Sequence, residues 1–198
     1  MLVFFDFDGV IVDSFSAAFA VSKMLHPYLE KADYVSRFDG NINDAIAKSI
    51  ATNEPRTDIH FFAEYGPRLM QCRLFPGMKE TIQALAKTHQ LVIISSTVTD
   101  LIEKYLKLNE LDRYFTEVMG NDVHASKIKK IEMATEKYKV GAGECLFVTD
   151  TLGDIKEAHH AGVSAVAVTW GYQPKETLER GESFAMVDTA DGLLKTLL

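Results

Sequence analysis

The sequence predicts an α/β fold in which a parallel sheet is wrapped by helices and a helical module is inserted after the first strand. Three observations predict it. Short apolar runs alternate with longer segments of helical period. Each run is apolar on both faces, as strands covered above and below require. Finally, 85 residues, from 6 to 90, separate the first run from the second, several times what a single crossover helix needs.

Taken in order, Leu2–Phe5 is the first strand, stopped by Asp6 and Asp8. Residues 14–74 are helix-like throughout. Phe15, Phe19, Ile42, Ile46, Ile50, Phe61, Phe62 and Leu69 are available for a small core there, and Gly40 and Asn53-Glu54-Pro55 look like breaks between its helices. The hinges fall near Asp13 and Phe75-Pro76-Gly77, which divides the chain into a sheet domain, 1–13 with 75–198, and a helical cap, 14–74. Residues 77–87 place Met78, Ile82 and Leu85 on one helical side, and 91–94 make the second strand. Thr97, three residues before Asp100, has the spacing of an N-cap before an acidic first turn. A weaker strand at 115–119 follows, then a helix at 126–138 with Gly141 and Gly143 as its stop. A strand at 145–148, a helix at 154–160 ending at Gly162 and a strand at 165–168 complete the pattern.

The 198 residues, 47% apolar and 25% charged, suffice for a buried core and exclude a disulfide-stapled mini-fold. With 28 acidic against 21 basic residues the formal charge is -7, which argues against a nucleic-acid backbone or an anionic membrane as partner. A small anionic ligand stays open, because one cation in a pocket reverses the local field. Cys72 and Cys145 are far apart and match no zinc or disulfide pattern. No run approaches a membrane span, and the apolar start lacks the basic flank and length of a signal peptide, so the expected location is the cytoplasm.

Four segments carry chemistry. In Phe5-Asp6-Phe7-Asp8-Gly9 two carboxylates follow directly on a buried strand. Ligands of open parallel sheets bind beyond the carboxyl ends of strands, so these acids project into the expected site. Like charges beside a core cost energy unless a cation or proton compensates, and hard oxygen ligands of this kind suit Mg²⁺. Ser95 and Ser96 end the second buried strand, where a hydroxyl and free backbone N–H groups can hold a phosphate oxygen, helix capping being the competing use. Lys127 opens the helix after the third strand and can neutralise a phosphoryl group, although its neighbours Lys129 and Lys130 equally suit a solvated face. Asp150 sits where a third metal ligand is needed, and Asp154 either faces the site or caps its own helix. The pair His159-His160 completes no metal set or triad, and Trp170 and Tyr172 read as packing. Neither a Walker A loop nor G-x-S-x-G occurs.

In this order the four segments resemble the haloacid dehalogenase (HAD) superfamily of phosphohydrolases over nearly the whole chain. Asp6 and Asp8 match its D-x-D-G segment, Ser95 its second-strand hydroxyl, Lys127 its lysine, and Asp150 with Asp154 its last acidic motif. The inserted segment resembles the helical cap of the subfamily that includes phosphoglycolate phosphatase and beta-phosphoglucomutase. Residues 168–172, with Glu176-Thr177-Leu178, are similar to the phosphoglycolate-phosphatase branch. The sequence departs at Thr149, where the family usually has glycine. It departs again at Ser126-Lys127-Ile128-Lys129, which replaces K-P-x-P, and at 37–43, which only loosely matches the mutase substrate loop.

The resemblance implies a three-layer, Rossmann-like core and an enzyme hydrolysing a small phosphorylated metabolite. Asp6 would be the nucleophile and Asp8 the general acid and base. Ser95, Ser96 and Lys127 would bind the phosphate. Mg²⁺ would be held by Asp6, the Asp8 carbonyl and Asp150, with Asp154 behind them. A haloalkanoate dehalogenase needs neither the metal nor Asp8. A phosphomutase would need cap cations such as Arg37, Lys48 or Arg68 for a second phosphate. A non-catalytic phosphate-binding protein would not need the complete acid set.

Overall fold

In the computed structural model the described residues are 1–52 and 60–198, the side chains of 49–52 excepted. Ile50 and the Asn53-Glu54-Pro55 break therefore lie outside what is described. Six strands form one parallel sheet: β1 (Leu2–Phe5), β2 (Gln90–Ile94), β3 (Glu117–Met119), β4 (Cys145–Thr149), β5 (Ser164–Val168) and β6 (Ala185–Val187). Their order is β3-β2-β1-β4-β5-β6, the Rossmann-like arrangement, with its reversal of direction beside β1.

The first strand is buried because alternate side chains serve two layers. Val3 and Phe5 join Met78, Ile82, Leu91, Ile102, Tyr105 and Leu193 on one face. Leu2 and Phe4 join Val92, Phe147, Ile131, Ala134 and Ile155 on the other. The first face is covered by α5 (Met78–Leu85), α6 (Thr99–Leu108) and α10 (Ala190–Leu197), the second by α7 (Lys127–Tyr138), α8 (Leu152–His160) and the short α9 (Lys175–Leu178). This gives three layers. Burying a side chain such as Phe4 contributes about 1.5–3 kcal/mol.

Between β1 and β2 lie α1 (Phe15–Leu25), α2 (Lys31–Ser36), α3 (Ile42–Thr52) and α4 (Phe61–Leu69). The chain enters and leaves this segment through two adjacent antiparallel strands of backbone: Asp13 N–H donates to the Arg73 carbonyl at 2.9 Å and Phe75 N–H to the Ile11 carbonyl at 3.1 Å. Its apolar residues share a cluster with the sheet rather than closing on themselves. Leu69 is fully buried, whereas Phe15, Phe19, Phe61 and Phe62 are partly buried against that common cluster. Phe15 and Phe38 meet the ring of Tyr172, which follows β5, edge-on at 5.0 and 5.2 Å between centroids.

The structure departs from the local sequence signals in three places. Thr97 does not cap α6, because the first free amide there, that of Thr99, donates to Asp122 Oδ1 at 2.7 Å. Helix α7 ends before Gly141, with Lys139 itself in the left-handed region (φ 55°). The edge strand β6 is only three residues long and half-buried, too short to show a period. Among the described residues no helix is long and apolar enough to cross a membrane.

Candidate active site

Strand register builds the site. Phe5 pairs with Ile93 of β2 and with Val148 of β4, so the residues just beyond these three strands share one rim. Asp6 N–H still donates to the Val148 carbonyl at 2.9 Å, and Ser95 N–H to the Met119 carbonyl at 3.1 Å, so both are fixed by the ladder itself. Gly9 turns the chain with φ +77°. Any side chain there would overlap the Asp150 carboxylate, which explains glycine after the second acid.

Lys127 joins two of the acids. Its ammonium, 5% exposed, donates to Asp6 Oδ2 and to Asp154 Oδ2, both at 2.7 Å. Asp6 Oδ1 accepts from Phe7 N–H at 2.7 Å. Asp154 also accepts from Thr149 Oγ1 at 2.9 Å, and its own amide donates to the Thr151 hydroxyl. Thr151 is thus the cap of α8, and Asp154 faces the site. Burial pushes the Lys127 ammonium down, but Asp154 and Asp6 outweigh it and hold Lys127 above its ordinary range. For Asp154 burial acts upward, yet the Lys127 charge and the hydrogen bonds keep it below the usual carboxylate range. Asp6 goes the other way: burial, helped by the charges of Asp154 and Asp150, raises it against the pull of Lys127.

Asp150 lies across the rim. Its Oδ2 accepts from Tyr172 N–H at 2.6 Å, while its buried Oδ1 has no partner among the described residues. Burial, only partly offset by the Tyr172 bond, pushes it up to about 7. Three buried acids thus stand near one ammonium, which touches only Asp6 and Asp154, and such a set favours an additional cation. Among the described residues no three His, Cys, Asp or Glu side chains form a ready metal cage. Two carboxylates and the Asp8 carbonyl fall short of that count but suit Mg²⁺, which keeps several waters. The orphaned Asp150 oxygen and the charge imbalance fit that ion.

Asp8 is set apart from Lys127. Its Oδ1 accepts from Ser14 Oγ at 2.7 Å and from the Tyr65 hydroxyl, and its Oδ2 accepts from Thr97 Oγ1 at 2.7 Å. Ser14 in turn meets the Tyr172 hydroxyl at 3.0 Å. A cavity of about 250 Å³ opens over these groups and extends between the inserted helices. Asp6, Asp8, Ser95, Ser96, Lys127 and Asp154 all line it.

The family model for haloacid dehalogenase-like hydrolases matches residues 3–168. The chain belongs to that family. A phosphoglycolate phosphatase of Vibrio cholerae is 30% identical to this hydrolase, covering 100% of the chain and 96% of that protein. One of Vibrio parahaemolyticus is 26% identical over 99% of the chain and 95% of its own length. A haloacid dehalogenase-like hydrolase from Streptococcus pneumoniae shares the fold with a TM-score of 0.83 at 18% identity, covering 100% and 98% of the two chains.

The structure brings together every residue singled out in the hydrolase's motifs except for the Asp150 side chain, which stands behind Gly9 and does not line the cavity. Lys130 departs from the solvated-face reading. It is fully buried and donates to the Ser95 carbonyl at 2.5 Å and the Gly120 carbonyl at 3.3 Å, bracing the ends of β2 and β3. Lys129 is the exposed one, paired with Glu132 at 2.7 Å. Tyr172 does more than pack, since it serves Asp150 and Ser14, whereas Trp170 donates to the Val10 carbonyl at 3.2 Å. Ser14, Tyr65, Thr97 and Thr149 were missed as site residues. Ser14 sits at the hinge and Thr97 beyond a strand end, which were signals; Tyr65, on an amphipathic helix, gave none. Of the cap cations, Arg37 lines the cavity, Arg68 is paired with Glu64 at 2.9 Å and Lys48 is exposed.

Proposed function

We propose that the enzyme is a Mg²⁺-dependent phosphatase that cleaves a small phosphomonoester through an aspartyl-phosphate on Asp6. The observation that carries this reading is the buried Lys127–Asp6 contact at 2.7 Å at the floor of a cavity, with the unpartnered Asp150 oxygen behind Gly9. Asp6, the Asp8 carbonyl and Asp150 would hold Mg²⁺, which supplies positive charge that screens repulsion between an anionic nucleophile and an anionic ester.

This chain's residues do the rest. An Asp6 carboxylate oxygen attacks phosphorus in line, the bond from phosphorus to the ester oxygen breaks, and Asp8 protonates the departing alkoxide. Asp8, now ionised, takes a proton from water; the water oxygen attacks phosphorus and the Asp6–phosphorus bond breaks, releasing phosphate. Lys127, Ser95, Ser96 and the backbone amides beyond β2 bind the non-bridging oxygens. Asp154 and Thr149 orient Lys127 from behind. Residues 14–74 act as the cap that contacts the leaving group. With Arg68 paired to Glu64 and Lys48 exposed, Arg37 is the cap cation at the cavity among the described residues for the second phosphate that a mutase would need.

The relatives named phosphoglycolate phosphatase make phosphoglycolate the reference substrate. The test is release of phosphate from acetyl phosphate and phosphoglycolate with Mg²⁺ and with chelator. Turnover should require Mg²⁺ and fall at least about 1,000-fold in Asp6→Asn. Folded protein without turnover, or an active Asp6→Asn variant, would overturn the reading.

A further inference from the structure

We infer that the alcohol half of the substrate is an uncharged, largely apolar group bigger than the two-carbon acid of phosphoglycolate. The inference rests on the phosphatase reading and specifies its substrate class. The floor of the cavity carries the polar groups already assigned to phosphate and proton transfer, so the remaining wall decides what else is bound. Among the described residues that wall is mostly hydrocarbon: Leu25, Phe38, Ile42, Ile46, Phe61 and Phe62 line it from four elements of the inserted segment, with Asn43 and Asn121 as neutral polar groups beside them.

Phe61 stacks on Tyr65 at 5.4 Å, and Phe61 and Phe62 meet edge-on at 5.3 Å. They form a continuous aromatic surface next to the hydroxyl that binds Asp8. A carboxylate placed against these rings and aliphatic side chains loses water and gains no partner from them. Two basic side chains besides Lys127 line the cavity among the described residues, His26 and Arg37. Burial, and then the Arg37 charge, lower His26, so it stands neutral at neutral pH. Arg37 has the opposing charge of Asp33 four residues earlier. At about 250 Å³ the cavity also leaves a glycolate surrounded by unfilled apolar space, whereas a branched, ring-shaped or longer alcohol covers the wall.

The test is a series of n-alkyl phosphates from ethyl to hexyl, with cyclohexyl phosphate and phosphoglycolate, assayed alongside acetyl phosphate. The expected result is a kcat/KM that rises about fourfold for each added methylene until the wall is covered, with phosphoglycolate below butyl phosphate. Binding of the matching alkylphosphonates, whose carbon–phosphorus bond is not hydrolysed, should tighten along the same series. Ile46→Arg should flatten both trends and improve phosphoglycolate relative to hexyl phosphate.

A flat series with good turnover of acetyl phosphate overturns this inference and leaves the phosphatase reading intact. So does a preference for phosphoglycolate that Arg37→Met removes. Tightening phosphonates with no turnover of any ester would sustain the apolar site and sink hydrolysis. Inert esters with phosphonates that bind alike overturn both.

Discussion

Asp8 owes its position to hydroxyls supplied by four parts of the fold. Ser14 comes from the hinge, Tyr65 from α4 and Thr97 from the loop after β2, while Tyr172 steadies Ser14 from beyond β5. In the proposed mechanism, a general acid held from both carboxylate oxygens keeps its direction while the proton moves. Thr97→Val leaves Oδ2 without its donor and is expected to lower kcat for alkyl esters about 10- to 100-fold, equivalent to about 1–3 kcal/mol. Acetyl phosphate, whose leaving group needs little help from an acid, should lose much less. Tyr65→Phe should show the same split, read as the ratio of the two rates. Equal losses for both substrates would place Thr97 and Tyr65 in folding alone.

At the scale of elements, the inserted helices are fixed to the sheet domain through the turn at residues 37–41. Asp39 accepts from Gln173 and Arg180, each at 2.8 Å, and Asn41 donates to Glu157 of α8 at 3.0 Å. Glu157 also accepts from the Lys127 amide at 3.1 Å, so this turn touches the start of the helix that presents the active-site lysine. Gly153 in α8 lies so close to the Gly40 and Phe38 carbonyls that a methyl group there would overlap backbone. Backbone cannot rotate aside as a side chain can. Gly153→Ala is therefore expected to displace the turn and cost about 1–3 kcal/mol of stability, seen as a drop in Tm of several degrees. KM for larger esters should rise with it, because Phe38 and Ile42 flank the same turn. A variant of unchanged Tm and KM would show the contact to be slack.

At the scale of the whole molecule, a buried lysine couples stability to pH. Burial, and then the neighbouring Lys127 charge, bring Lys130 down to about 8. Below that pH the ammonium is protonated folded and unfolded. Above it the folded chain has released a proton that the unfolded chain still holds, so stability rises with pH. Cys72 and Cys145, both raised to about 11 by burial, act with the opposite sign once unfolded thiols ionise. The wild type should therefore gain stability relative to Lys130→Met as pH rises from about 8 to 10 in chemical unfolding, the thiols acting alike in both proteins; a difference that does not change with pH would refute it. The parallel sheet, the insertion after β1 and the rim of acids were legible in the sequence. Apolar runs ending in carboxylates combine a local period with a charge that no core tolerates alone. The burial of Lys130, the separate duties of Thr97 and Thr151, and the Tyr65–Asp8 contact were not legible, because each depends on partners from distant segments. By itself the sequence determined which residues could do phosphate chemistry. Only the tertiary structure decided which acid meets Lys127, which is held by hydroxyls, and that apolar side chains make up most of the wall above them among the described residues, since those outcomes are set by register and by packing between elements far apart in the chain.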